Sequence, residues 1–231
     1  MTDIDISAPD GGTFTGYLAT PESTPAPGIV LIQEIFGVNV VMRTIADSFA
    51  AEGFTVLCPD LFWRQEPGIQ ITDQSDEEWA RAFELYQGFD SAAGIGDLGA
   101  TLEHLRGLDS CTGKVGCIGY CLGGTLAYLM AANTSVDCAV GYYGIGIEGL
   151  LDQSANISKP LMLHIAEKDE YAPKEAQDAV KEHFSGNDLV TIHSYPGMDH
   201  AFARVGGQPY DAEAAALANG RTLEHLHGGL S

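Results

Sequence analysis

Positive charge is what this 231-residue chain has least of: five Lys and six Arg stand against 32 Asp and Glu, for a formal charge of −21. Nucleic-acid binding is excluded as a working class, because phosphate neutralisation needs clustered Lys and Arg, and anionic membranes are disfavoured for the same reason. No apolar run approaches the roughly 18 residues that read as a membrane span. The opening "MTDIDISAPD" has neither the basic nor the apolar region of a secretory leader, so cytoplasmic residence is the expectation. Cysteine is sparse and odd in number, at five, and Cys58, Cys111, Cys117 and Cys138 read as reduced, buried residues. Cys117 and Cys121 form C-x₃-C without a matching His or Cys pair, so no metal site is expected. The acidic excess is a solvated surface or an adaptation to salt, where self-repulsion is screened.

What is present is a globular composition, 45% hydrophobic with 28 glycines, enough to bury a core without disulfides. "IDISA" and "GTFTGYLA" alternate around Gly11-Gly12 and predict an antiparallel hairpin. "GIVLIQE" (28–34) is a near-continuous apolar run, the pattern of a strand buried on both faces. "FTVLCPD" (54–60), "KVGCIGY" (114–120), "VDCAVGYYG" (136–144), "KPLMLHIAEKD" (159–169) and "LVTIHSYP" (189–196) are further strands. Helical spacing falls at 39–52, 76–88, 92–107, 122–133, 173–184 and 211–227, with no element assigned to 145–158. A polar stretch from 61 to 80 carries Trp63 and Trp79, a length that suggests a cleft. Strands alternating with helices predict an α/β fold, mainly parallel with helices on both faces, and a single domain over 1–231.

"GYCLGG" (119–124) carries the chemistry. It fits G-x-nucleophile-x-G with Cys121 in the nucleophile position, a strand before it and a helix after it. Glycines let two backbones crowd together so that the middle side chain projects, and the following helix sets its positive end beneath the sulfur. Its alternative is a glycine-rich packing turn. On this architecture the acid and histidine follow the nucleophile in chain order. Asp169 ends one strand and His200 lies just past another, at carboxyl ends where open parallel sheets build their sites. His164 and His193 fall inside strand runs and read as core or face residues. His104, His183, His225 and His227 lie in polar helical surroundings and read as solvated. Asp199 reads as a turn residue. Glu34 ends "GIVLIQE", where a buried carboxylate needs a hydrogen bond or a cation; the alternative is an exposed loop-start glutamate.

"QEIFGVN" (33–39), "CPDLF" (58–62), "GDLGATLEHLR" (96–106), "GYCLGG", "GYYGIG" (141–146), "EKD" (167–169), "DHAFAR" (199–204) and "AAALANGRTLEHL" (214–226) together resemble the dienelactone hydrolases, or carboxymethylenebutenolidases. The resemblance runs nearly end to end. It implies an α/β-hydrolase fold, a Cys121–His200–Asp169 triad, and hydrolysis of dienelactone to maleylacetate without metal or cofactor. It further implies that Glu34 contacts the resting thiol and takes its proton when substrate binds. The amides of Ile35 and Leu122 would form the oxyanion hole, Arg204 would hold the substrate carboxylate, and Phe36, Tyr86 and Tyr142 would line the cleft. The family's second carboxylate-binding arginine falls at Trp79 or at nearby Arg81; if Arg81 does not reach the cleft, neutral esters become more plausible as substrates. The expected partner is therefore a small anionic lactone, with the chain a monomer or weak homo-oligomer. The alternatives are a broader small-ester carboxylesterase, a redox-sensing thiol on a hydrolase scaffold, and a non-catalytic binding protein.

Overall fold

In the computed structural model, which describes all residues from Met1 to Ser231, residues 1–116 and 117–231 form two compact units. In the first, the hairpin of β1 (Thr2–Ser7) and β2 (Thr13–Ala19) pairs antiparallel onto β4 (Thr55–Pro59), and β4 pairs parallel with β3 (Ala26–Ile32), in the order β1-β2-β4-β3. β4 is buried at every position and β3 at all but Pro27, as expected for strands covered on both faces. Helices α1 (Val40–Ala51) and α3 (Ser91–Arg106) pack on these strands. Their starts are set by side-chain caps: Asn39 accepts from the amides of Val41 and Met42, and Asp90 from those of Ala92 and Ala93. The intervening α2 (Asp76–Gln87) is capped by Ser75 and carries three acids, Asp76, Glu77 and Glu78, at its positive end.

The stretch predicted as a cleft loop is tied down by polar groups. Asp60 accepts from the amides of Phe62 and Gly68 at 3.0 and 2.7 Å. Buried Asp97 on α3 accepts from Trp63 Nε1 at 2.9 Å and from Arg64 Nη2 and Nε at 2.8 and 3.1 Å. Gly37 pairs with Gln70, and Asn39 Nδ2 donates to the Ile71 carbonyl. Gly37 has φ +76°, and a Cβ there would sit 2.0 Å from the Ile69 oxygen, so only glycine lets these two segments meet. That contact fixes the turn carrying Glu34, Ile35 and Phe36.

β5 (Cys111–Tyr120) begins in the first unit and ends in the second, where it pairs parallel with β6 (Ala139–Tyr142), followed by β7 (Leu161–Ala166) and β8 (Val190–Tyr195) in sequential order. Helix α4 (Leu122–Asn133) covers β6 and β7, α6 (Ala212–Leu230) packs on β7, and α5 (Lys174–His183) packs on a 3-10 helix (Ile147–Asn156). The 3-10 helix had no predicted counterpart: its single buried residue, Ile147, leaves no apolar periodicity to read. His164 sits in the core as expected, bonded to Tyr195 Oη at 2.7 Å and Thr222 Oγ1 at 2.9 Å. His225 departs from its solvated reading. The packing of α6 buries its Nε2.

Candidate active site

The second unit brings Cys121, Asp169 and His200 together from three turns. β5 ends at Tyr120, α4 begins at Leu122, and Cys121 between them has φ 57° and ψ −117°, angles that few residues other than glycine adopt. Two contacts hold it there: the Cys121 amide donates to the Tyr142 carbonyl at 3.1 Å, and its carbonyl accepts from the Gly124 amide at 2.9 Å. The flanking glycine is needed for space, since a Cβ on Gly119 would lie 1.8 Å from the Gly123 oxygen. The start of α4 has no side-chain cap, so its first amides, Leu122 included, are free of that competitor for an anion.

Asp169 follows β7 and is 4% exposed. Its Oδ2 meets His200 Nδ1 at 2.7 Å, and its Oδ1 accepts from the Tyr171 amide at 2.9 Å. The loops of the acid and the histidine are tied by backbone bonds, Lys168 N to Met198 O at 2.8 Å and Glu167 N to Tyr195 O at 3.2 Å. Ala201, next to His200, has φ 63°, and Tyr143 has φ 38°. The chain's three non-glycine residues with positive φ thus all serve this site, the clustering of strain that functional positions display.

His200 is 9% exposed and lies between two tyrosines, with ring centroids 5.0 Å from both Tyr143 and Tyr171. Burial works against the imidazolium. The charge on the Cys121 sulfur and the hydrogen bonds to Asp169 and Cys121 outweigh it and raise the His200 pKa to about 10. Burial pushes the Cys58 and Cys117 thiols far up and that of Cys138 to about 12, leaving these three protonated and inert. All five cysteines are free of disulfides.

The remaining predicted residues have varied surroundings. Leu122 is buried at the first position of α4, and Arg204 is buried four residues after His200, its amide bonded to the Ala201 carbonyl. In the first unit, Glu34, Ile35 and Phe36 are buried directly after β3, and Phe36 meets Trp79 edge-on at 5.1 Å. The Glu34 carbonyl accepts from Gln33 Nε2. Arg81 is engaged with Glu66 and Glu84 at the surface, and Tyr86 is 41% exposed on α2. Tyr142 turns into the core: its hydroxyl meets Thr222 at 2.7 Å and Asn219 at 2.9 Å. Its neighbour Tyr143 is the ring against His200. Successive strand residues face opposite ways, and the "YY" doublet alone does not say which tyrosine faces the histidine. Tyr171 was also missed, although "EKDEY" places it two residues after the acid.

A strand–cysteine–helix turn on a mainly parallel sheet, followed in chain order by an Asp and a His, is the arrangement of an α/β hydrolase. The family model of the dienelactone hydrolase family matches residues 14–229. The carboxymethylenebutenolidase of Pseudomonas putida is 42% identical over 223 residues, 96% of this chain and 94% of that protein. A carboxymethylenebutenolidase of Cupriavidus pinatubonensis is 40% identical over 96% of this chain and 95% of its own. A protein of Azospirillum brasilense reaches 51% over 96% of each. The crystal structure of a dienelactone hydrolase from Anabaena variabilis superposes with a TM-score of 0.73 at 18% identity, covering 100% of this chain and 98% of the other. The chain belongs to the dienelactone hydrolase family, and with it to the carboxylic ester hydrolases.

Proposed function

We propose that this chain opens the enol-lactone ring of dienelactone to maleylacetate through a thioester on Cys121. The observation that carries the chemistry is the ordered set Cys121, His200 and Asp169, with His200 Nδ1 bonded to buried Asp169. The substrate class rests on the two carboxymethylenebutenolidases at 40 and 42% identity over nearly the whole chain.

The sulfur, its proton held by His200, attacks the lactone carbonyl, and the Leu122 amide at the start of α4 stabilises the oxyanion. The ring C–O bond breaks, the enolate takes the proton from His200, and the acyl group stays on sulfur. Water then gives a proton to His200 and adds to the thioester carbon. The C–S bond breaks, sulfur leaves as thiolate, and the imidazolium is restored. Cysteine suits a substrate whose enolate leaves readily. Glu34 is assigned the gating role of accepting the thiol proton on substrate binding. The alternative is a standing pair in which His200, hydrogen-bonded to Asp169, holds that proton. Iodoacetamide alkylation of Cys121 separates the two: acceleration by a substrate-like carboxylate supports gating, whereas an unchanged rate supports the standing ion pair.

Arg204, buried four residues after His200, is the assigned anchor for the substrate carboxylate. Arg81 is held at the surface by Glu66 and Glu84, pairs worth about 0–1 kcal/mol each, and is not part of this assignment. A panel of cis- and trans-dienelactone, p-nitrophenyl acetate and neutral lactones tests this assignment. The Arg204→Ala variant is expected to raise KM for the dienelactones about tenfold or more and leave p-nitrophenyl acetate unaffected. An equal rise for neutral esters would remove the anchor role and favour a general small-ester hydrolase.

A further inference from the structure

Behind Asp169 the packing is incomplete. A cavity of about 30 Å³, room for a water or two, is lined by Asp169 together with Tyr143, Glu148, His164 and Gln177. Ala166, Asp169 and Ala172 all border this space, and a loop beside a void is not held from that side by close packing, so something else must keep it from relaxing into it. Gln177 of α5 is 4% exposed, and its Nε2 reaches three carbonyls of this loop: Ala172 at 2.7 Å, Ala166 at 3.1 Å and Glu167 at 3.4 Å. These oxygens bracket Asp169 on both sides in sequence.

We propose that Gln177 is a positioning residue for catalysis: its carboxamide staples the 166–172 loop and thereby holds Asp169 on His200. This rests on the reading of Asp169 and His200 as the acid–histidine pair. The Ala166 carbonyl also accepts from the Asp169 amide at 3.3 Å, and the Gln177 carboxamide is the side-chain donor that reaches all three. An apolar residue of the same size would fill the space and hold nothing, and a glutamate would turn an acceptor toward three acceptors.

The test is a double-mutant cycle on the full chain, using Gln177→Met and Asp169→Asn with p-nitrophenyl acetate and dienelactone as substrates. Gln177→Met is expected to lower kcat about 10- to 100-fold, the scale of an ångström-sized misplacement, with KM nearly unchanged. In the Asp169→Asn background it should lower kcat no further, because the residue it positions is already lost. Gln177→Glu should be worse than Gln177→Met. By proton NMR, the low-field resonance of the His200 Nδ1–H should weaken or move upfield in Gln177→Met. If the methionine variant fails to fold, Gln177→Asn, one methylene too short, answers through the same readouts. A wild-type kcat in a folded Gln177 variant, or an equal loss in both backgrounds, would overturn the proposal. If Asp169→Asn itself leaves turnover intact, the acid–histidine reading fails. If Asp169→Asn impairs turnover and Gln177→Met does not, only the staple does.

Discussion

Cys121 carries its side chain on backbone angles that cost a non-glycine residue about 1–3 kcal/mol, and the strand and helix on either side hold it there. What the strain gives is a sulfur presented at a helix start and joined to His200. The Asp169–His200 bond, buried at both ends, fixes the imidazole tautomer and shares its positive charge. Asp169→Asn should therefore lower kcat for any ester about 100-fold or more with little change in KM, read from steady-state kinetics. The sign of the pH effect follows from the proton. His200 binds it more tightly folded, at about 10, than unfolded, at about 6.5. Its contribution to stability is therefore complete below about pH 6.5 and is lost as pH rises through 10. Denaturant titrations from pH 7 to 10.5 should show that loss, and Asp169→Asn should move it to lower pH.

At the scale of elements, the turns matter more than the helices and strands they join. Gly119→Ala would push a methyl into the Gly123 carbonyl at 1.8 Å. It is expected to cost about 3 kcal/mol or more, measured by chemical denaturation, far above the roughly 1 kcal/mol of losing the Asp90 cap. Arg64→Met would leave Asp97 buried with only the Trp63 donor; a loss of about 2–3 kcal/mol is expected. The strands were legible because burial on both faces leaves continuous apolar runs, as in "GIVLIQE", and the helices because their apolar spacing recurs along the chain. The Cys121, Asp169 and His200 positions were legible from chain order at strand ends. The choice of Tyr143 over Tyr142 was not, because it depends on the way the last strand residue turns. Gln177 was hidden for another reason: a glutamine between Ala176 and Val180 on a helix looks like surface until the carbonyls it meets are known.

The whole molecule adds charge. At −21 the protein repels an anionic lactone at long range. Surface repulsion is screened by salt, with a Debye length of about 10 Å at 0.1 M and 3 Å at 1 M, while an attraction at buried Arg204 is screened much less. KM for dienelactone should fall as ionic strength rises, with KM for p-nitrophenyl acetate flat. Acid works through other groups: burial, chiefly, pushes the pKa values of His164, His193 and His225 down. The unfolded chain takes up protons these sites refuse, so their contribution is present above about pH 6.5 and is lost as pH falls below it. Urea midpoints measured from pH 8 to 5 should decline over the lower part of that range.

The central claim is that the Cys121 sulfur opens the lactone, and the loss of dienelactone absorbance with the wild-type chain and with Cys121→Ala tests it directly. The account predicts rapid turnover by the first and a rate at least about 1,000-fold lower with the second, a loss of about 4 kcal/mol of transition-state stabilisation. Equal turnover by the two, or none by the wild type, would contradict it.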